Sequence, residues 1–202
     1  KYSQDYLRTI QAQLTAIFAY AVKYYNLPKN PSSLAGNIGK EVPKEMQFWT
    51  KEEYLKYAET MMDKPRSFYA FELLYWTGIR SGELLALTPS DFDFENQTLR
   101  INKTFHRSKG EDIITTPKTA KSNRIIMLPP FLCDEIKDYL EMFYEIGENE
   151  RMFSFTKSYL GHEMERGCKE SGVKKIRIHD LRHSHVSLSQ GYFWDSLSDC
   201  LR

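Results

Sequence analysis

Residues 67–105, SFYAFELLYWTGIRSGELLALTPSDFDFENQTLRINKTF, change texture twice, and the two changes decide the fold class. From Ser67 to Thr77 apolar and aromatic side chains fall almost all round (Phe68, Tyr69, Phe71, Leu73, Leu74, Tyr75, Trp76), which predicts a central helix wrapped in core. Gly78 ends that helix, residues 81–87 read as a second, short one, and Pro89 stops it in turn. Beyond it the pattern becomes two-fold: residues 91–94 alternate, Glu95, Asn96 and Gln97 are turn chemistry, and residues 98–105 alternate again. With residues 112–116 and 124–128 flanking a polar turn, a three-stranded antiparallel sheet is expected. Helices are expected on either side of it. One spans 51–62, where Thr50 and Glu53 form a capping box, and others span 130–146, 158–171 and 179–189. The chain reads as α+β and mainly helical.

Further upstream, Leu7, Ile10, Leu14, Ile17, Phe18, Ala21 and Val22 fall at helical spacing, and Pro28 ends the pattern. A lone helix cannot bury its own stripe, so residues 1–30 are expected to be the last helix of a truncated small domain. PKNPSSLAGNIGKEVPKEMQ, residues 28–47, has linker composition, which sets a linker at 31–46 and the main domain at 47–202. Apolar residues make up 41% of the 202, charged residues 27% and aromatics 14%, which excludes disordered and fibrous classes. No run approaches the ~18 apolar residues of a membrane span, and a cytoplasmic protein with no membrane partner is expected. Cys133, Cys168 and Cys200 are far apart and read as reduced, with no metal and no cofactor implied.

Net charge is only +1, but its distribution is uneven. Residues 102–124 carry six bases (Lys103, Arg107, Lys109, Lys118, Lys121, Arg124) against two acids, and residues 166–185 again six (Arg166, Lys169, Lys174, Lys175, Arg177, Arg182) against two. Residues 131–150 between them carry seven acids and one base. One face for a polyanion and another turned away from it would give this pattern, as would ordinary solvated surfaces.

Three strings carry chemistry. In TGIRSGELLAL, residues 77–87, Arg80 sits between two glycines after a buried helix, close to backbone N–H donors, and suits an anionic oxygen. Glu83 is placed to receive Arg80 or to orient a second arginine; alone, the pair also reads as a surface ion pair. In TPKTAKSNR, residues 116–124, Lys118 lies at a hairpin tip where an ammonium can reach a phosphate and donate a proton, or simply aid solubility. In IHDLRHSH, residues 178–185, His179 and Arg182 share a helix face and supply two donors for one oxyanion, whereas Arg182 would repel a cation from a His179–His183 pair. Ser154-Phe155-Thr156-Lys157 matches SxxK, but SDN and KTG are both missing from the sequence.

Taken together and in this order, the three strings resemble the tyrosine recombinases, the integrases of phages and conjugative transposons. TGIRSGELLALTPSDFDF resembles the family's first arginine box, PKTAKSNRIIMLP its β-hairpin lysine segment, and HDLRHSHVS its second box, over residues 48–188. The resemblance implies a catalytic domain with a small three-stranded antiparallel sheet, preceded by the end of a core-binding domain. It implies Arg80 and Arg182 as the pair gripping the scissile phosphate, Lys118 as general acid, His179 as proton-transfer aid or phosphate ligand, and Glu83 as support for the arginines. Lys103, Arg107, Lys121, Arg124, Lys174, Lys175 and Arg177 are the expected DNA-facing cations. Its implied partners are double-stranded DNA attachment sites and, when full length, further copies in a tetramer, in a bacterial cytoplasm. The family chemistry joins a tyrosine to a 3′ phosphate of DNA. Tyr192 lies only ten residues after Arg182, where roughly thirty are expected, so these 202 residues are expected to lack the nucleophile and to be inactive. The alternative from another class is a non-catalytic DNA-binding remnant of an integrase; a type IB topoisomerase fits the hairpin string less well.

Overall fold

The computed structural model describes residues 2–39, 45–116 and 123–189. Lys118 and Lys121, and the segment carrying Tyr192 and Cys200, lie outside them. The chain divides into two compact units, Lys1–Glu45 and Met46–Arg202.

In the first unit, helix α1 (Gln4–Tyr24) opens on Ser3, whose hydroxyl accepts from the Tyr6 N–H. The stretch read as linker carries a turn of helix, α2 (Pro31–Leu34), capped by Asn30. Polar side chains tie it to α1. The Gln11 amide donates to the Ser32 carbonyl and hydroxyl at 3.0 Å each, and the Asn30 amide donates to the Thr15 carbonyl at 2.9 Å.

In the second unit the Thr50–Glu53 capping box forms as expected and starts α3 (Lys51–Glu59). Helix α4 (Pro65–Thr77) is the central one: nine of its thirteen residues are buried, as its all-round apolar sequence requires. Gly78 closes it in the left-handed region at φ 61°, which a glycine adopts without Cβ strain. Helix α5 (Ser81–Leu84) follows. The three-stranded antiparallel sheet is present, in the order β1 (Phe92–Asp93), β2 (Thr98–Ile101), β5 (Arg124–Met127). The segment 98–105 is not one strand, however. It breaks at Asn102-Lys103, and its second half, β3 (Thr104–Ser108), pairs with β4 (Glu111–Thr115) in a separate ribbon. Lys103 lies at the break and binds the buried Asp91 carboxylate at 2.8 Å and the Thr88 hydroxyl at 2.8 Å.

Helix α6 (Pro130–Glu141) stops short of the expected 146. Its last turn closes through Met142 and Phe143, and the acids that follow, Glu145, Glu148 and Glu150, are unfavourable at the negative end of a helix. Helix α7 (Lys157–Ser171) is capped by Thr156 and ended by Gly172. A short 3-10 turn (Ile178–Asp180) leads into α8, residues 181–189. The core runs without a break from Trp49 and Tyr57 through Phe71, Leu74 and Leu84 to Phe153 and Leu181. Cys133 and Cys168 are free and buried.

Candidate functional site

The site grows out of the end of α4. Past Gly78, Ile79 is buried and Arg80 is extended at the N-cap of α5, so the Arg80 side chain starts from a backbone fixed on both sides. Glu83 then meets it twice: Oε2 accepts the Arg80 backbone N–H at 2.9 Å and Oε1 accepts Nη1 at 2.9 Å. A second arginine reaches the same carboxylate from the sheet. Arg124 opens β5 opposite Ile101 of β2, and its fork binds Glu83 through Nη2–Oε2 at 2.8 Å and Nη1–Oε1 at 3.1 Å. Glu83 is 4% exposed, and burial by itself would raise its pKa. The hydrogen bonds from Arg124 and Arg80 outweigh that and hold it below the usual carboxylate range.

Arg182 comes from α8. Its Nη1 donates to the Gly78 carbonyl at 2.7 Å, two residues before Arg80. Partial burial lowers its pKa, and the charges of Arg80 and Arg124 lower it further, so the three guanidiniums share one neighbourhood. Glu83 opposes them there, one carboxylate against three guanidiniums among the described residues. Arg80 remains half exposed while Arg124 is largely covered, so Arg80 faces outward and Arg124 supports from behind. Such a site suits an anion that can accept from more than one fork.

His179 is exposed on the 3-10 turn, edge-on to His183 with ring centroids 5.8 Å apart. The turn is fixed by Asp180, which is 2% exposed and accepts from the Arg177 N–H at 3.0 Å, Nε at 2.9 Å and Nη2 at 2.7 Å. Those bonds keep the Asp180 pKa low. Ser184 ties α8 to the start of the unit by accepting from the Trp49 N–H at 2.9 Å.

The other described cations expected to face a polyanion have internal partners. Lys103 is held by Asp91, Arg107 lies 3.6 Å from Asp112 within the ribbon, Lys174 binds Glu53 at 3.2 Å, and Lys175 binds Glu165 at 2.9 Å. Arg177 is bound to Asp180 yet largely exposed. Arg124, read from sequence as DNA-facing, is the inner anchor of Glu83. Sequence reading missed the Gly78 carbonyl as an acceptor and missed His185, whose ring lies against Gly78. The i,i+3 spacing of Arg182 and His185 was the signal available for the second.

Among the described residues, no group of three His, Cys, Asp or Glu side chains is arranged to hold a metal, and no helix is long and apolar enough to cross a membrane.

A model described as the phage integrase family matches residues 46–188. The ICEBs1 integrase of Bacillus subtilis (strain 168) is 30% identical over 203 residues, covering 92% of this chain and 54% of its own length. The integrase of Staphylococcus phage L54a is 28% identical over 222 residues, covering 93% of this chain and 63% of its own. The chain thus spans between about half and two thirds of the length of these relatives. Among solved structures, the Tn1549 transposon integrase in complex with a circular intermediate DNA superimposes with a TM-score of 0.77 at 20% identity, covering 91% of this chain and 66% of that one. A lambda integrase dimer bound to a core site gives 0.62 at 19% identity, over 96% of this chain and 54% of that one. At these identities the likeness is one of fold.

Proposed function

The chain belongs to the phage integrase family, and from that premise we propose that it is the catalytic part of a tyrosine-type site-specific recombinase acting on double-stranded DNA. Residues 1–30 are then the end of a core-binding domain, 31–46 the linker and 47–202 the catalytic domain. The observation that carries this reading is the gathering of Arg80, Arg124 and Arg182 around one carboxylate, Glu83, with Arg80 left open to solvent.

Phosphoryl transfer asks the protein chiefly for positioning and for charge to meet the equatorial oxygens of the transition state. Arg80 and Arg182 supply that charge as two forks on the non-bridging oxygens of one phosphate. Glu83 and Arg124 keep Arg80 from collapsing elsewhere, and the Gly78 carbonyl aims Arg182. A tyrosine hydroxyl attacks the phosphorus, its proton passing to His179, and a 3′-phosphotyrosyl bond forms as the bond to the 5′ oxygen breaks. The leaving 5′ oxygen takes a proton from Lys118. The reverse attack by a 5′ hydroxyl reseals a strand, and exchange between sites requires several copies on the DNA.

Duplex binding measured between about 50 and 200 mM salt tests the reading. Affinity is expected to fall with a log–log slope of about −0.9 for each phosphate engaged, and Arg182→Gln is expected to reduce that slope by about one such unit. Salt-insensitive binding, or an Arg182→Gln slope equal to the parent's, would refute it.

A further inference from the structure

The C-terminus of α4 ends in carbonyl groups that no further turn of helix can satisfy, and α8 meets them with two side chains from one face. Arg182 donates to the Gly78 carbonyl at 2.7 Å. Three residues on, the His185 ring is half-buried beside the backbone of Tyr75, an influence that favours the protonated ring although burial outweighs it. The same ring lies flush on Gly78: a Cβ there would stand 2.7 Å from its Cδ2 and 3.0 Å from its Cγ. His185 Nδ1 is buried and has no hydrogen-bond partner among the described residues. The glycine therefore serves two geometries at once, a left-handed φ of 61° and the seat of an imidazole.

We propose that His185 is a positioning residue for the phosphate-binding arginines. By clamping the end of α4 it fixes the Gly78 carbonyl that aims Arg182, and with it the Ile79–Arg80 segment from which Arg80 starts. The role rests on the reading of Arg182 as a phosphate ligand given above. His185 itself touches no phosphate; it acts through Gly78, with its ring as spacer and its N–H as clamp.

His185→Phe keeps an aromatic ring on Gly78 and removes the donor, whereas His185→Gln keeps a donor. Each is compared with the parent and with Arg182→Gln by salt-dependent binding of a short duplex of arbitrary sequence, with thermal unfolding run alongside. Arg182→Gln is expected to take about 0.9 from the log–log slope, His185→Phe to take most of the same amount, and His185→Gln to restore the parental slope. Unfolding temperature reports the structural part separately, and a purely structural role would lower it without touching the slope. If His185→Phe does not fold, His185→Ala, which introduces no new volume, takes its place with the same expectation. A parental slope in His185→Phe or His185→Ala, beside a reduced one in Arg182→Gln, overturns the positioning role alone. An unchanged slope in Arg182→Gln overturns the phosphate reading and this role with it.

Discussion

Two buried glutamates eleven residues apart, Glu72 and Glu83, have their pKa values moved in opposite directions, and the contrast shows what makes the arginine site a site. Each is 4% exposed, and for each burial is the largest influence and pushes the pKa up. At Glu72, inside α4, the partners are neutral donors: the Tyr54 hydroxyl at 2.6 Å and the Trp76 indole at 2.7 Å. They oppose burial without overcoming it, and the pKa stays raised. Nearby Glu135 of α6 shares a hydrogen bond with Glu72 and is pushed up to about 7, by burial first and by the Glu72 charge second. At Glu83 two guanidiniums reverse the sign. Burial makes a carboxylate expensive in both places, and the place that gathers positive charge around it is the one where the pKa ends below the usual range.

Four substitutions can break or sharpen that contrast. The largest effect is expected from Glu83→Gln, which leaves the Arg80 and Arg124 guanidiniums without a counter-charge and should cost about 3 kcal/mol in denaturant unfolding at neutral pH. Because the folded Glu83 pKa is depressed, this loss should shrink as pH falls through the carboxylate range, where the parent loses the same stabilisation. A cost below about 1 kcal/mol would mean that the two arginines are held independently of Glu83.

Gly78→Ala should come next, at roughly 2 kcal/mol, because the new Cβ meets both an unfavourable φ and the His185 ring. If the glycine's role is conformational alone, adding His185→Ala to Gly78→Ala will not reduce the loss, and the cycle of single and double variants reads this directly. Glu72→Gln keeps an acceptor for Tyr54 or Trp76 and should cost only about 1 kcal/mol, with no change in duplex affinity. Equal losses for Glu72→Gln and Glu83→Gln would erase the distinction between the two regions.

Glu135→Gln is expected to act in the other direction. Its folded pKa of about 7 lies above the ordinary 4.5, so the folded state prefers the protonated carboxyl. Stability is full below about pH 4.5 and declines as pH rises through 7. The glutamine mimics the protonated group and should stabilise by about 1 kcal/mol at pH 8 and by nothing at pH 4, the full shift being discounted because the carboxyl is half solvated. Chemical denaturation at the two pH values measures it, and a larger gain at pH 4 would contradict the assignment.

Much of this architecture was legible in the letters because it is local. The all-round apolar run of α4, the Gly78 stop, the Thr50 cap and the Arg80–Glu83 spacing each involve residues within one or two turns. What stayed hidden depends on register or on backbone. Arg124 reaches Glu83 because β5 pairs with β2 so that Arg124 stands opposite Ile101, a pairing no local pattern announces. The Gly78 carbonyl that holds Arg182 has no side chain to read, and 104 positions separate the two. The break in the strand at Asn102-Lys103 follows from Asp91, buried and in need of a cation, drawing Lys103 out of the alternation. The basic count of residues 102–124 and 166–185 could not show how those charges are paired: Lys103 is drawn inward to Asp91, whereas Lys174 and Lys175 pair with Glu53 and Glu165 and stay exposed.

The central claim is that Arg80 and Arg182 serve one phosphate. The direct test is the salt slope of duplex binding for Arg80→Gln, Arg182→Gln and the double variant. If both forks grip the same phosphate, each single variant should lose about 0.9 from the slope and the double variant should lose little more. A loss of about 1.8 in the double variant, the sum of two independent contacts, would place the two arginines on different phosphates and contradict the account.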